Sequence, residues 1–414
     1  MAIIKPFQCV RPNKEDAHLV AALPYDVYSR KEAVEVTKEN PKSFLNIDRP
    51  ETQFSPETDM YDEKVYQKAK EMLQQWIADG TFVKDGRNAY YIYELTMAGR
   101  SQTGIVACSS VDDYEKSIIK KHEKTREEKE IDRIRHVDTT NAQTGPIFLA
   151  YRSNEIINGI VAEKTGGEPL YDFTSEDGIR HCVWEVADQE DTGAIEKAFA
   201  AVPATYIADG HHRAASAVKV AQKRRAENPE YTGDEDFNYF LSVLFPDDQL
   251  MIMPYNRVVK DLNGMTEEEL LEKIKGSFAV ECMGERACTP MEKGTFGMYL
   301  GGNWYALKAD DSLKSEDPVK GLDVSILQDH LLAPVLGIGD PRVDVRIDFI
   351  GGIRGLKELE KRCNEDMKVA FSMYPTSIGE LFDVADANLL MPPKSTWFEP
   401  KLRSGIFIHP LDGE

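Results

Sequence analysis

One stretch of sequence constrains the fold more than any other, because an apolar run passes directly into a polar turn and an alanine-rich segment. Residues 204–208 have the apolar and β-branched character of a buried strand, and residues 211–226 are typical of a helix. Asp209 and Gly210 form the turn between them. Strands and helices are predicted to alternate in this way along the whole chain, so we expect a mixed α/β fold.

The turn and the first helical residues have the chemistry of an anion site. Unpaired backbone N–H groups and the helix dipole favour negative charge at the start of a helix. Gly210 allows a ligand to approach the backbone, and Arg213 can form paired hydrogen bonds with phosphate oxygens. We therefore predict that Gly210 and Arg213 bind the phosphates of a nucleotide, and that Asp209, His211 and His212 are catalytic.

Simpler interpretations of this turn exist. Taken singly, each residue fits an Asp-Gly turn followed by surface histidines. The concentration of polar groups in so short a segment favours function, and Asp209 is also predicted as a ligand of Mg²⁺. Shared metal binding by His211 and His212 is disfavoured, because adjacent helical residues point about 100° apart.

A second polar group lies at His122-Glu123-Lys124-Thr125, within a charged segment, residues 118–140, that we predict to be helical. A charge run is equally well explained as a solvated helix face. A carboxylate beside a histidine can instead act as a general base toward a substrate hydroxyl. We predict Glu123 as that base, and His122, Lys124 and Thr125 as contacts of the nucleotide or its phosphates.

A third group follows two prolines near the C-terminus. Lys394, Ser395 and Thr396 are predicted to contact phosphate or substrate, although a rigid loop anchored by Trp397 explains the segment slightly better from its chemistry alone. Asp26 is a further predicted contact of the substrate or phosphate.

Composition excludes several classes of protein. The formal charge of -21 would repel nucleic acid, whose binding depends on Lys and Arg. None of the six cysteines forms a CxxC pair, and no apolar stretch approaches the ~18 residues that span a bilayer. We expect a cytoplasmic protein without nucleic-acid or membrane partners; a homodimer is a possible assembly.

A composition shift near residue 260 predicts two domains, residues 1–260 and an α+β domain over residues 261–414. Other predicted helices cover residues 61–79, 195–200, 266–275, 324–336 and 356–363, and one more begins at residue 30. Other predicted strands cover residues 43–47, 89–95, 102–111, 146–151, 178–186, 239–245, 344–350 and 369–373, with a hairpin over residues 294–308.

These segments together form a pattern. The chain resembles domain-of-unknown-function family 1015, which is related to ParB-like proteins. The resemblance is carried by PYDV (24–27), NPKSFLNIDRPE (40–51), HEKT (122–125), GPIFLAY (145–151), ADGHHRAASA (208–217) and MPPKSTWFEPK (391–401). It implies a ParB/sulfiredoxin-like nucleotide-binding core with large insertions, followed by the C-terminal domain. His211 stands where a sulfiredoxin would have its catalytic cysteine, which excludes that chemistry.

The resemblance extends to a free serine kinase, which implies phosphoryl transfer to free L-serine or a similar hydroxyl-bearing metabolite, with Mg²⁺ and ADP, ATP or CTP. Two alternatives stay open at this point. One is a regulatory protein without catalysis, whose bound nucleotide switches a protein-protein contact. The other is a metal-dependent hydrolase that uses His122, Glu123, His211 and His212.

Overall fold

The computed structural model describes residues 1–412 and divides the chain into two compact units. The first contains Met1–Leu250 and the C-terminal segment from Pro400, and the second is Met251–Glu399. This division differs from the predicted one near residue 260. The segment from Pro400 belongs to the first unit because it forms backbone hydrogen bonds there. Ser404 pairs with Ala22, and Ile408 pairs with Val10.

The first unit is built on a mixed sheet. Its part of the chain up to Leu250 contains the strands β1 (Ile4–Lys5), β2 (Val10–Pro12), β3 (Phe82–Lys84), β4 (Tyr90–Met97), β5 (Arg100–Ser110), β6 (Ile119–Lys120), β7 (Ala142–Gln143), β8 (Ile147–Tyr151), β9 (Tyr171–Thr174), β10 (Arg180–Val186), β11 (Thr205–Asp209) and β12 (Tyr239–Pro246). The large sheet has the order β6-β11-β8-β12-β5-β4-β10-β9, with β1 paired to β5. Two pairs are parallel, β6 with β11 and β8 with β12, and the other pairs are antiparallel.

Helices surround this sheet in the same unit. They are α1 (Ala17–Val20), α2 (Arg30–Glu39), α3 (Leu45–Asp48), α4 (Glu63–Ala78), α5 (Val111–Glu115), α6 (Glu127–Thr140), α7 (Glu155–Thr165), α8 (Gln189–Phe199) and α9 (His211–Glu227). Short 3-10 helices lie at Tyr25–Val27, Pro50–Gln53, Asp236–Asn238 and Asp247–Gln249. None of the helices within residues 1–412 combines the length and the apolar character that crossing a membrane would require.

Helix α9 packs closely on the sheet because its buried face is made of small residues. Ala214, Ala217 and Ala221 belong to the same core cluster as Leu149 and Ile207 of the sheet. Alanine has the highest helix propensity, and its single methyl group lets a helix backbone approach a sheet. This packing fixes the position of the start of α9 at the end of β11.

The second unit has an antiparallel sheet of its own. Its elements are β13 (Ile252–Met253), β14 (Tyr255–Val259), α10 (Glu267–Ile274), β15 (Phe278–Gly284), β16 (Thr295–Leu300), β17 (Asn303–Ala309), α11 (Asp323–Leu327), a π-helical turn (Gln328–Leu332), β18 (Ile347–Gly351), α12 (Leu356–Glu365), β19 (Val369–Met373), α13 (Ile378–Asp386) and β20 (Trp397–Phe398), with 3-10 helices at Asp311–Leu313 and Gly352–Arg354. The main sheet has the order β15-β17-β16-β19-β14-β18. The C-terminal segment adds β21 (His409–Pro410), which pairs with β7 in the first unit.

The predicted mixed α/β class is confirmed, but two predicted elements were wrong. Residues 43–47 form part of a helical segment and not a strand, with backbone hydrogen bonds from Asn46 to Ser43 and from Ile47 to Phe44. The periodicity of so short and completely buried an apolar run does not distinguish a strand from a helix.

The segment over residues 118–140 is not one helix. Ser117 has a positive φ of 57°, which ends α5, and β6 then pairs in parallel with β11. Helix α6 begins only at Glu127. Burial of Ile119 in the sheet outweighs the local preference of the charged sequence for helix.

Thr266 provides a test of local stability in the second unit. Its hydroxyl accepts the Glu269 N–H at 3.2 Å, and the Glu269 carboxylate accepts the Thr266 N–H at 2.8 Å, which together form a capping box at the start of α10. We expect Thr266→Ala to lower the free energy of unfolding by about 1 kcal/mol in chemical denaturation. Thr266→Ser keeps the hydroxyl and should remain near wild type; equal losses in both variants would contradict the capping role.

Candidate active site at the start of helix α9

Two groups of predicted site residues meet at one edge of the large sheet. Strands β6 and β11 are parallel neighbours, so their carboxyl ends lie side by side. His122 and Glu123 follow β6, and Gly210 and His211 follow β11. The structure therefore joins two segments that are far apart in the sequence.

Gly210 holds the conformation that opens helix α9. Its φ of 92° is in the left-handed region, which glycine adopts without steric cost. The Arg213 guanidinium lies across it, and a Cβ atom added at Gly210 would be 3.1 Å from Arg213 Nε. Arg213 Nη1 also donates a hydrogen bond of 2.5 Å to the carbonyl of Pro146. A guanidinium is thus fixed beside the first turn of the helix.

Asp209 forms an ion pair with a residue from the far end of the chain. Its Oδ1 accepts the Gly210 N–H at 2.8 Å, and its Oδ2 accepts a hydrogen bond of 3.0 Å from Lys401 Nζ. Burial alone would raise the pKa of Asp209, but the charges of Lys401 and Arg213 outweigh it and hold that pKa well below the usual range. Asp209 is therefore ionised, and both of its oxygens already have hydrogen-bond donors.

His122 and His211 form a buried pair. Their rings meet edge to face, with centroids 4.6 Å apart. Burial lowers the pKa of His122 to about 4, against the charge of Asp209 and a hydrogen bond with the Ile207 backbone. Burial also holds the pKa of His211 well below its ordinary value, as does the neighbouring His122. Both imidazoles are neutral near pH 7.

One nitrogen on each ring of this pair has no hydrogen-bond partner among the described residues. These atoms are His122 Nδ1 and His211 Nε2, and the two residues are only 2% and 6% exposed. A buried polar atom without a partner costs about 1 to 3 kcal/mol, so such atoms concentrate where a ligand or water binds. A ligand or a water molecule at the start of α9 would satisfy both atoms.

Glu123 lies beside the histidine pair. Its Oε2 is 3.9 Å from His211 Nδ1, which is too far for a hydrogen bond and close enough for an electrostatic interaction. The Glu123 side chain is 43% exposed, so a ligand can reach it from solvent. This position suits a carboxylate that takes a proton from a bound substrate.

His212 points to a different part of the unit from His211. Its Nε2 accepts the Arg126 N–H at 3.0 Å, and Arg126 is the N-cap residue of α6. Its pKa is lowered by burial and raised in part by the charge of Asp26. His212 thus links α9 to α6, and its predicted catalytic role stays a prediction.

The other residues of the HEKT segment lie in the loop before α6. The Thr125 side chain forms a hydrogen bond with the Glu130 carboxylate, and Lys124 is exposed. Asp26, on the 3-10 helix Tyr25–Val27, is exposed as well. Their predicted contacts with nucleotide or substrate stay predictions.

Lys394, Ser395 and Thr396 belong to the second unit, and contacts within that unit hold their loop. The Lys394 carbonyl accepts Arg257 Nη2 at 3.0 Å, and the Ser395 hydroxyl donates to the Pro392 carbonyl at 2.6 Å. The Trp397 ring packs over Gly351. These contacts agree with a rigid loop that has an aromatic anchor, and the predicted substrate contacts of the three residues stay predictions.

No role was predicted for Lys401, although this residue ends the MPPKSTWFEPK segment. None was predicted for Arg133 or Asp48, which line a cleft beside Arg213 in the first unit. Buried charges of this kind are recognised only when tertiary contacts are known. Within residues 1–412, no three His, Cys, Asp or Glu side chains are grouped as a metal site.

The comparisons with known proteins are consistent with the sequence pattern. The model of a family described as "Protein of unknown function (DUF1015)" matches residues 4–325. No curated protein matches the sequence.

Several solved structures share limited similarity with the chain. A mutant free serine kinase in complex with AMP is 15% identical, with a TM-score of 0.34, over 72% of this chain and 92% of that one. SbnI with a C-terminal truncation, from Staphylococcus aureus, is 13% identical, with a TM-score of 0.38, over 72% and 85%. A conserved hypothetical protein from Pyrococcus furiosus is 15% identical, with a TM-score of 0.32, over 73% and 94%. Similarity at this level carries no information about activity.

Gly210 and Gly99 offer a matched pair of substitutions. Both have positive φ angles, 92° and 79°, but a Cβ atom would meet Arg213 at Gly210 and nothing within 4 Å at Gly99. Alanine at either position should cost about 1 to 2 kcal/mol of stability through backbone strain. We expect Gly210→Ala alone to weaken ADP binding, by tenfold or more in calorimetry, because it displaces Arg213. Equal ADP affinity in the two variants would contradict the assigned position of Arg213.

His122 should make stability depend on pH. The folded state lowers its pKa from 6.5 to about 4, so the unfolded chain binds the proton more tightly between these values. The folded protein therefore keeps its full free energy of unfolding above pH 6.5, where His122 is neutral in both states. It loses part of this free energy as the pH falls toward 4. Between pH 7.5 and 4.5 this loss should be roughly 2 to 3 kcal/mol.

Urea denaturation at the two pH values measures this effect. The wild-type protein should lose more stability than His122→Asn, which cannot titrate in this range. An identical loss in both proteins would show that His122 is not held neutral by burial.

Proposed function

Because the chain belongs to the DUF1015 family of proteins of unknown function, we propose its activity from its own site: it is a nucleotide-dependent kinase that phosphorylates the hydroxyl of a small metabolite, such as free L-serine. The observation that carries this proposal is the start of α9, where Arg213 lies across Gly210 and two buried imidazole nitrogens have no hydrogen-bond partner among the described residues. The first N–H groups of a helix also lack a partner within the helix. These are groups that hold phosphate oxygens.

In this proposal the nucleotide phosphates bind along the first turn of α9. Arg213 supplies a charge that stabilises the transferring phosphoryl group, and His211 Nε2 supplies a hydrogen bond. Lys401, already held 3.0 Å from Asp209, adds a second cation at the same place. The neutral histidines contribute hydrogen bonds and no net charge.

The proposed transfer step is a direct displacement. The acceptor hydroxyl oxygen forms a bond to the terminal phosphorus, while the bond from this phosphorus to the bridging oxygen breaks. The hydroxyl proton moves to the Glu123 carboxylate, and the bond electrons stay on the departing nucleotide. With ADP as donor, the products are AMP and the phosphorylated acceptor. Positioning and electrostatic stabilisation by Arg213 account for most of the expected acceleration.

Asp209 is the weaker candidate for the base. Its two oxygens accept hydrogen bonds from Gly210 and Lys401, and its low pKa makes it a poor proton acceptor. For the same reason Asp209 would bind Mg²⁺ only if Lys401 moved away. We therefore keep Mg²⁺ as the counter-ion of the nucleotide, without an assigned protein ligand. The choice among ADP, ATP and CTP, the ParB-like ancestry and a homodimer remain predictions.

Phosphorus NMR of purified protein with Mg²⁺, L-serine and each nucleotide in turn tests the proposal. We expect phosphoserine with at least one nucleotide. Glu123→Gln should lower the rate ~10²- to 10⁴-fold with nucleotide affinity retained, whereas Arg213→Ala should lower both.

Two matched variants serve as controls. Glu127→Gln, in the exposed first turn of α6, and Arg224→Ala, near the far end of α9, should keep full activity. Full activity of Glu123→Gln would remove the base assignment. Saturable nucleotide binding without any product would contradict the kinase and favour the regulatory alternative, in which bound nucleotide switches a protein-protein contact.

A further inference from the structure

The first unit contains a cleft that borders Arg213 and combines opposite charges. Its lining includes Tyr25, Asp48, Arg133, His136, Thr144 and Arg213. Arg213 also lies across Gly210, so the cleft and the proposed phosphate site share this residue. A ligand in this cleft would lie next to the transferring phosphoryl group.

Arg133 is a buried cation with a fixed orientation. It is 7% exposed, and its guanidinium carbon lies 4.0 Å from the centre of the Tyr25 ring. Asp132 Oδ2 accepts a hydrogen bond of 2.9 Å from Arg133 Nε and lies 2.9 Å from its Nη2. Asp132 thus occupies the edge of the guanidinium formed by Nε and Nη2. Nη1 lies on the other edge. A planar cation held in this way is suited to binding a carboxylate.

Asp48 supplies the opposite charge in the same cleft. It is 3% exposed, and its Oδ1 accepts a hydrogen bond of 2.8 Å from the Thr144 hydroxyl. Its negative charge acts on both Arg133 and His136, so the three side chains are close to one another. His136 is fixed by a contact of 2.9 Å between its Nε2 and the Ile47 carbonyl. A buried carboxylate in this position is suited to binding an ammonium group.

We propose that this cleft is the acceptor subsite and that it selects a zwitterion, with the ligand carboxylate on Arg133, its ammonium group on Asp48 and its hydroxyl directed toward Arg213. This inference rests on the proposed function, which it deepens by naming the class of acceptor as a hydroxy amino acid. Hydrogen bonds between charged groups are stronger than those between neutral ones, so an acceptor that lacks the carboxylate or the ammonium group loses one such contact and binds more weakly.

Binding measurements on the full-length protein test the subsite without phosphoryl transfer. Calorimetry compares L-serine with ethanolamine, which lacks the carboxylate, and with 3-hydroxypropanoate, which lacks the ammonium group. We expect each analogue to bind at least tenfold more weakly than L-serine. This comparison uses the wild-type chain and so does not depend on the folding of any variant.

Two arginines in the same unit provide a matched pair of variants. Arg49 is as buried as Arg133, but it binds Glu51 and the carbonyls of Tyr25 and Tyr28 and does not line the cleft. Arg133→Lys should weaken L-serine binding at least tenfold and leave ethanolamine unchanged, whereas Arg49→Lys should preserve both affinities. Asp48→Asn should remove the preference for L-serine over 3-hydroxypropanoate.

Several results would overturn the subsite. Equal affinity for L-serine and ethanolamine would exclude carboxylate recognition, and equal losses in Arg133→Lys and Arg49→Lys would reduce Arg133 to a structural role. Absence of L-serine binding would overturn it as well. Phosphoryl transfer to an acceptor without charges would refute the subsite and leave the kinase, whereas selective L-serine binding without transfer would refute the kinase and leave the subsite.

Discussion

The parallel pairing of β6 with β11 is the constraint on which the rest of the site depends. Only Ile119 and Lys120 form β6, yet their alignment with Thr205 and Tyr206 brings the two strand ends to one edge of the sheet. The loop after β6 then carries His122 to the start of α9. The left-handed turn at Gly210 lets helix α9 begin directly after β11, at the same place.

The distribution of charge at this edge would favour phosphate in spite of the acidic composition of the chain. The protein carries a formal charge of -21, but Arg213 and Lys401 both place positive charge beside Asp209 at the start of α9. Asp209 offsets one of them in the structure. A bound phosphate would compete with Asp209 for Lys401, which makes this ion pair a means of coupling the C-terminal segment to ligand binding.

Local sequence predicted the parts of the structure that depend on short-range patterns. The strands β4 and β5, the strand-turn-helix of β11 and α9, and the helix that follows Thr266 were confirmed. Prediction failed where tertiary burial overrides local preference, as in residues 43–47 and in β6. The ion pair of Lys401 with Asp209 could not be predicted, because it joins residues 192 positions apart.

For the candidate site, too, residue types could be interpreted from the sequence, whereas contacts between distant segments could not. Residue types beside a predicted helix start led to the prediction of an anion site at Asp209, Gly210, His211 and Arg213, and this role stays a prediction. The proximity of His122 to His211 was not, since it follows from sheet order. The orientation of His212 toward Arg126 was missed as well, because helical spacing shows that neighbouring side chains diverge and does not show what each one contacts.

The central claim is that a nucleotide binds beside His122 and His211. The most direct test records the NMR signals of the histidine ring nitrogens while ADP is added. The chain has eight histidines, few enough for long-range ¹H–¹⁵N spectra of the side chains with assignment by substitution. The account predicts shifts at His122 Nδ1 and His211 Nε2, while exposed His18 and buried His409, whose Nδ1 also has no partner among the described residues, stay unchanged. Saturable ADP binding that leaves both ring systems of the pair unshifted would place the nucleotide elsewhere and contradict the account.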